Sequence, residues 1–543
     1  MVKLPDLKDY ETDKNDLQFT IPENFNFGFD VIEKRAEASD KTAFIYINRS
    51  REIVEHHSFK DLNLAANRFA NVLLKMGVKK GEMALLITPR IPPWYQILIA
   101  CIKVGVVAMP GTNLLTAKDI QYRINKSRAK LAIVTEEHAH KIEEIQKECP
   151  SLQHLILVGN QRRGWLHYET ACRESSDILQ REDVEPTSSE DMMLVYFTSG
   201  TTSLPKMVPR NQSYALAHLL TGHYWMDLKE SDIHWTLSDT GWAKAAWGML
   251  FGQWLIGASV VFYDGDPKFD ADAHLSLIGK LGVTTFCAPP TIFRLFGQID
   301  LSPYDLSSVR HTVSAGEPLN PEAMRNWEKA TGTVPHDGYG QTETVNLVAN
   351  FPGLAIRPGS MGKPVPGLEV EIIDDEGKRC PDGEIGHIAV KVTDPYPPGL
   401  FRGYFEDPEA NSKVFRNGWY YTGDTATRDA DGYIWFVGRA DDIISSASYR
   451  ISPFEVESAL QEHPAVAESA VVGKKDPLRG EIVKAFVTLA AGFEASEELI
   501  KDIQDFVKNQ TAPYKYPREI EFRQELPKTI SGKIRRVELR GEG

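Results

Sequence analysis

From Lys130 onward the chain switches repeatedly between two hydrophobic periods. "KLAIVT" (Lys130 to Thr135) is a short strand-like run, and "HKIEEIQKEC" beyond it has helical spacing. "LQHLILVG" returns to a strand, and "GASVVFYD", "ADAHLSLIGKLG" and "VTTFCAP" repeat strand, helix, strand. Alternation of this kind predicts parallel sheets covered by helices, an α/β fold of layered sheets.

The stretch from Leu368 to Val392 departs from that pattern. Its strands alternate around two turn signals, Asp-Glu-Gly and Pro-Asp-Gly, which predicts antiparallel hairpins and a small barrel-like part. With 543 residues the chain is too long for one core. A boundary is expected near Gly438, giving an N-terminal domain over 1–438 and a small α/β C-terminal domain over 439–543. In the latter, "FEVESALQEHPAVAESAVVGKKD" reads as a helix, a strand and a loop.

Charge and cysteine content narrow the setting. The net charge of −14 disfavours nonspecific nucleic-acid binding. No apolar run approaches the length of a membrane helix. The start, "MVKLPDLKDYETDKND", resembles neither a secretory signal nor a transit peptide. The cysteines Cys101, Cys149, Cys172, Cys287 and Cys380 are scattered, so neither a disulfide framework nor a zinc site is expected. These features predict a reduced, cytosol-like compartment.

The stretch "LVYFTSGTTSLPKMV" (Leu194 to Val208) runs from a strand-like segment into small hydroxylated residues and a lysine. Gly200 permits a bend or a close approach. Thr198, Ser199, Thr201 and Thr202 offer hydroxyl donors, and Lys206 a positive charge, as an anion cradle requires. It is not a Walker A loop, because Leu204 and Pro205 precede the lysine. Taken alone, an ordinary polar turn accounts for it equally well. Further along, Glu343 in "DGYGQTET" is a carboxylate suited to Mg²⁺ once phosphates are present. Asp424 in "YTGD" suits two ribose hydroxyls, and "LPKTISGKIRR" presents Lys533 on a Ser-Gly turn.

With "YFTSGT", "LSDTGW", "SAGEPLNPE", "YGQTET", "GRADDII", "APYKYPR" and "PKTISGK" in this order, the chain resembles the adenylate-forming enzymes. Within that superfamily it is most similar to medium-chain acyl-CoA synthetases. The resemblance implies ATP, Mg²⁺ and CoA as ligands and a mobile C-terminal lid. It further implies that Thr198, Ser199, Gly200, Thr201, Thr202, Ser203, Leu204, Pro205 and Lys206 cover the ATP phosphates. Gly316, Glu317 and Pro318 would line the adenine and acyl side. Asp337, Gly338, Tyr339, Gly340, Gln341 and Thr342 would hold adenine and the α-phosphate, with Thr342 also near the carboxylate. Glu343 would bind the metal, Asp424 and Arg439 the ribose, and Lys533 would bridge the reacting anions. Asp441 would be the hinge. Ala447, Ser448, Tyr449, Arg479, Tyr516, Pro517 and Arg518 would face CoA, and Arg450 would lie with CoA and the acyl substrate. Trp242 and Val345 would close the acyl pocket, while Trp247 is expected in the core.

Three departures stand out. Ser203, Ser448 and Ser452 replace glycines usual in the family, and Ser448 would narrow the path of the CoA thiol. Two histidine-bearing stretches carry little weight. "HHSFKDL" (His56 to Leu62) matches an acyl-transfer signature but precedes a helix-like run, so a structural role is expected. His138 and His140 in "EEHAHKIEE" are expected on a solvated helix start.

The expected activity is acyl-CoA synthesis from a medium, short branched or aromatic monocarboxylic acid, with no nucleic-acid partner, no membrane span and room for a homodimer. The rivals are an acyl-AMP ligase that loads a carrier protein and a catalytically silent nucleotide-binding scaffold. CoA dependence of the product separates the first, and acid-dependent pyrophosphate release the second.

Overall fold

The computed structural model describes residues 4, 10–14, 17, 19–198, 204–265, 269–317, 319, 321–446, 449–477, 479–529 and 533–541. The chain divides into two units. The first is Met1–Thr198, Met207–Glu369 and Thr393–Asn411, and the second is Ser199–Lys206, Val370–Val392 and Ser412–Gly543.

Among the described residues the first unit carries a nine-stranded and a seven-stranded sheet. The larger runs in the order Lys363–Pro364, Asn346–Ala349, Pro335–Gly340, His311–Ser314, Thr285–Ala288, Ile233–Thr236, Ser259–Tyr263, Thr42–Ile47 and Val54–Ser58. From Pro335–Gly340 to Thr42–Ile47 the pairing is parallel, as the alternation of strands and helices predicts. The edges are antiparallel. The helix Ala271–Leu281 buries Ala273, Leu275, Leu277 and Ile278 against this sheet, in a core with Phe286 and Trp327. In the smaller sheet, Leu131–Thr135, His154–Val158, Met83–Ile87 and Val107–Pro110 are parallel. Its edge pair Met192–Phe197 and Met207–Asn211 is antiparallel, with Phe197 opposite Met207. The hydroxyl-rich stretch therefore joins two antiparallel strands.

His138 corrects the expectation of a solvated helix start. It is buried in the helix Glu136–Ile145, on the face shared with Ala139, Ile142 and Ile145. Its Nε2 pairs with Asn113 Oδ1 at 3.1 Å and its Nδ1 with Lys141 at 3.3 Å. Burial, helped by the Lys141 ammonium, lowers its pKa to about 4. His57, in the discounted acyl-transfer signature, stacks on Phe44 at 4.5 Å. Asp61 of the same stretch closes a capping box with Ser58 on the helix Phe59–Lys75.

The second unit holds an antiparallel sheet of Val370–Ile373, Gly386–Lys391, Trp419–Arg428 and Phe415–Arg416, with Ile434–Arg439 paired to Trp419–Arg428. The two turn signals fall in one connection and do not close two hairpins. Ile373 and Arg379 meet only as an isolated bridge, and Val370–Ile373 pairs directly with Gly386–Lys391. Pro381 has no N–H to give a ladder, and Gly383 sits at φ +84°.

A further sheet in this unit joins Tyr449–Ile451, Ile444–Ser446, Gly480–Leu489, Val466–Asp476 and Glu519–Phe522. The strand runs through "GKKD" to Asp476, where the sequence suggested a loop. Those residues stay extended because they continue the pairing with Gly480–Leu489, up to Asp476 opposite Gly480. The sheet is covered on both faces, by period-two alternation. Val471 packs with Val456, Leu460, Ile503 and Val507, whereas Ala470 and Val472 pack with Phe486, Leu526 and Leu539.

Candidate active site

In the first unit the strand Pro335–Gly340 carries the head of "DGYGQTET". Two of its glycines are required by close packing. A Cβ on Gly338 would lie 2.4 Å from the Trp225 ring, and one on Gly340 would lie 2.3 Å from the Trp247 ring. Asp337 is buried and accepts the N–H of Gly338 at 2.9 Å. Burial pushes its carboxyl up to about 7, against the lowering effect of the Gly338 and Leu319 amides. Tyr339, Gln341 and Thr342 are half-buried. A tight turn follows, closed by Thr344 N–H to Gln341 O at 3.2 Å and Gln341 N–H to Thr344 Oγ1 at 2.9 Å.

That turn fixes Glu343. Its carbonyl accepts from Arg210 Nη1 at 2.6 Å and from the Phe401 amide at 2.9 Å. Its carboxylate accepts the Tyr404 hydroxyl at 2.8 Å. Among the described residues no group of three or more His, Cys, Asp or Glu side chains is placed to hold a metal. A single carboxylate fits Mg²⁺, which is usually held by one or two carboxylates together with substrate phosphates and water.

Gly316 adopts φ +114°, in the region that favours glycine. Glu317 accepts from Thr291 Oγ1 at 3.1 Å and faces Arg294 Nη2 at 3.5 Å. Lys244 donates to the carbonyl of Ala315 at 3.0 Å, next to Gly316. Trp242 is half-buried and precedes the helix Ala243–Gly248. Val345 is fully enclosed, and a Cβ on Gly399 would lie 2.5 Å from its Cγ1. Trp247 is buried against Trp225 and His218, in keeping with a core residue.

In the second unit Asp424 and Arg439 stand directly opposite each other on antiparallel strands. Arg439 Nη1 lies 3.3 Å from Asp424 Oδ1. Asp424 is buried, whereas the Arg439 side chain is 47% exposed. Asp441 follows on a turn, 3.7 Å from Arg439 Nε. Lys533 is exposed. Its backbone exchanges hydrogen bonds with Thr529, from Lys533 N to Thr529 Oγ1 at 3.1 Å and from Thr529 N to Lys533 O at 2.7 Å.

Just beyond, Arg536 forks onto the buried Glu457 at 2.7 and 2.9 Å. Glu457 also accepts the Val471 amide at 2.7 Å. Arg536 and Arg540 both pair with Asp442, the neighbour of Asp441. Tyr449 stacks on Tyr514 at 4.0 Å with both rings exposed, and Arg518 lies over Tyr516 at 5.1 Å. Arg450 and Arg479 are exposed, and Pro517 is buried. Leu204 is exposed, ahead of Pro205 and Lys206. Ser199, Gly200, Thr201, Thr202, Ser203, Pro318, Ala447 and Ser448 lie outside the described residues.

One departure from the family pattern gains a physical role. Ser452 is the N-cap of the helix Pro453–Gln461. Its Oγ accepts the Glu455 amide at 3.1 Å and donates to the Val437 carbonyl. Arg210, Lys244 and Tyr404 escaped the sequence reading. For Arg210 a signal exists, a lone charge in the strand-like "MVPRN".

Comparison with known proteins gives this geometry a family. The AMP-binding enzyme family matches residues 32–405, and the AMP-binding enzyme C-terminal domain matches residues 455–533. Acyl-coenzyme A synthetase ACSM3, mitochondrial, of Mus musculus is 44% identical over 98% of this chain and 93% of its own. Acyl-coenzyme A synthetase ACSM4, mitochondrial, of Homo sapiens is 46% identical over 96% of this chain and 91% of its own. Among solved structures, the anthranilate CoA ligase AuaEII in complex with anthranoyl-AMP superposes with a TM-score of 0.87 at 34% identity, covering 97% and 98% of the two chains. A Brucella canis acyl-CoA synthetase superposes with a TM-score of 0.72 at 33% identity, covering 98% and 97%.

The relatives' names overturn the cytosolic assignment, since these synthetases are mitochondrial. Scattered cysteines report a reducing environment and carry no address. Over nearly its whole length, then, the chain belongs to the AMP-binding enzymes, the adenylate-forming superfamily.

Proposed function

We propose that the protein is an AMP-forming acyl-CoA synthetase, which uses ATP to join a monocarboxylic acid to CoA and releases AMP and pyrophosphate. The observation that carries this is its likeness, at 44% and 46% identity over 98% and 99% of the chain, to enzymes named acyl-CoA synthetases. Those names also support a mitochondrial setting.

The chemistry explains why such residues are needed. A carboxylate is a poor electrophile because oxide would have to leave. Its oxygen attacks the α-phosphorus, the bond to pyrophosphate breaks, and an acyl-AMP results. The CoA sulfur then attacks the acyl carbon and AMP departs with the bonding pair. The first step brings two anions together, so it needs cations and donors rather than a base.

Lys533 would bridge carboxylate and α-phosphate, and the Thr342 hydroxyl would donate beside it. Glu343, held by Arg210 and Tyr404, would bind Mg²⁺, which when bound neutralises phosphate charge. Asp337 would accept from the adenine amino group, and Asp424 with Arg439 would take the ribose hydroxyls. Thr198 to Lys206 would cover the β- and γ-phosphates. Tyr449, Arg450, Arg479 and Tyr516 to Arg518 would serve CoA. In this division residues 1–438 bind ATP and the acid, and residues 439–543 supply the lysine and the CoA face, with Asp441 as the hinge. The acid would be of medium length, short and branched, or aromatic, with Trp242 at its pocket.

The test is pyrophosphate release from ATP over a panel of acids, followed by addition of CoA. Acid-dependent release and a CoA-dependent thioester are expected. Release without thioester would favour carrier-protein loading. No release with any acid would favour the silent scaffold.

A further inference from the structure

Glu343 is gripped by two segments far from it in sequence. From the strand Met207–Asn211, Arg210 donates to the Glu343 carbonyl at 2.6 Å and also to the carbonyl of Gly399. From the segment 399–411, the Phe401 amide donates to the same Glu343 carbonyl at 2.9 Å, and the Tyr404 hydroxyl donates to Glu343 Oε1 at 2.8 Å. That segment is itself fixed. Asn411 accepts the Tyr404 amide at 2.7 Å and donates to the Tyr404 carbonyl at 3.0 Å. The Phe405 amide donates to the Met207 carbonyl at 3.0 Å. Gly403 adopts φ +130°, and a Cβ there would lie 3.0 Å from the Asn411 side-chain amide.

Arg210 and the Phe401 amide hold the backbone of the turn. The Tyr404 hydroxyl acts on the carboxylate instead, and it sets how that group is rotated. Glu343 and Tyr404 are both buried. Among the described residues no ion pair reaches Glu343. A buried carboxylate with a neutral donor and no counter-charge is costly until a cation joins it. With Oε1 engaged by the hydroxyl, Oε2 is the oxygen that can meet a cation. One oxygen suits Mg²⁺, which demands short bonds in near-ideal octahedral geometry. Ca²⁺ is larger and readily takes both oxygens of one carboxylate in a looser shell.

We propose that Tyr404 is a positioning residue that holds the Glu343 carboxylate with one oxygen toward the metal, and that it thereby selects Mg²⁺ over Ca²⁺. This rests on the reading of Glu343 as the Mg²⁺ ligand given above. Tyr404 acts through Glu343 and not on the reacting atoms. Partners that orient a metal ligand are typically worth about 10–100-fold in metal affinity. Asn411 supports the role by bonding both backbone groups of Tyr404, so the hydroxyl is delivered from a fixed point.

The experiment measures binding of α,β-methylene-ATP to the full chain by calorimetry, with EDTA, with Mg²⁺ and with Ca²⁺. In the native protein Mg²⁺ should tighten binding, and Ca²⁺ should do so much less. Tyr404→Phe removes one oxygen atom. It should leave binding in EDTA unchanged, cut the gain from Mg²⁺ about tenfold and bring the two cations level. The Mg²⁺ concentration for half-maximal pyrophosphate release should rise about tenfold, with KM for the acid unchanged. Asn411→Ala, which frees the Tyr404 backbone, should lose part of the same gain. An equal weakening in EDTA and in either cation would be a packing effect and would overturn the proposal. So would an unchanged Mg²⁺ gain, or an unchanged preference for Mg²⁺ over Ca²⁺, in Tyr404→Phe. Glu343→Gln separates the two readings. If it abolishes the Mg²⁺ gain while Tyr404→Phe keeps it, the metal ligand stands and the role of Tyr404 fails. If Glu343→Gln itself keeps the gain, the metal assignment fails and the role of Tyr404 falls with it.

Discussion

Asp337→Asn should make the protein more stable above neutral pH while it weakens nucleotide binding. Asp337 is buried on the strand Pro335–Gly340, and its pKa is raised from 3.8 to about 7 by desolvation. A carboxyl whose pKa is raised on folding favours the folded state most below its unfolded pKa. That contribution disappears as pH rises through the folded value. Each pH unit between the two values corresponds to ~1.4 kcal/mol, so above pH 7 the ionised carboxylate opposes folding by roughly 4 kcal/mol. Asparagine cannot ionise, and its oxygen still accepts the Gly338 amide. The variant should match the native protein near pH 4, gain steadily up to about pH 7, by roughly 4 kcal/mol, and hold that advantage to pH 8.5. The readout is amide hydrogen exchange on His311–Ser314 and Pro335–Gly340, a local measure suited to a chain of two units. Affinity for ATP should fall about tenfold as one charge-assisted bond to the adenine amino group is lost. A stability difference independent of pH, or a less stable variant at pH 8.5, would refute the reasoning.

Lys533→Ala should slow pyrophosphate release by ~10²–10³ while conversion of supplied acyl-AMP to acyl-CoA stays within severalfold. Equal losses in both half-reactions would remove Lys533 from its bridging role. Asp441→Pro should retain adenylation and lose most thioester formation, because proline restricts φ at the hinge. Loss of both together would point to misfolding. Arg536→Met should lower exchange protection of Val466–Asp476 by roughly 3–5 kcal/mol, because it leaves Glu457 buried and unpaired. The loss should shrink below neutral pH, where Glu457, already raised by burial, takes up a proton, and it should largely vanish in the double variant with Glu457→Gln. Ser452→Ala should weaken protection of the helix Pro453–Gln461 by ~1 kcal/mol; no change would mean that the cap is dispensable.

The layered α/β architecture was legible in the linear pattern, because strand and helix periods differ and their alternation leaves parallel pairing as the outcome. The motifs were legible as well. Hydroxyls, glycines and a lysine in one short stretch make little sense as packing, and Glu343, Asp424 and Lys533 sit in segments with their own turn signals. Tertiary structure alone decided the environment of each group. His138 has the spacing of a surface histidine, and only the docking of its helix buries it. Arg210 is held by the carbonyls of Glu343 and Gly399, backbone atoms that no side-chain pattern announces. The pKa of Asp337 follows from desolvation, which depends on what covers the strand. Ser452 read as a replaced family glycine and proved to be a helix cap, because its oxygen meets the Glu455 amide only once the helix turns. Period and chemistry are written along the chain, whereas burial and partnership depend on residues distant in sequence, such as Arg210 and Glu343 or Glu457 and Arg536.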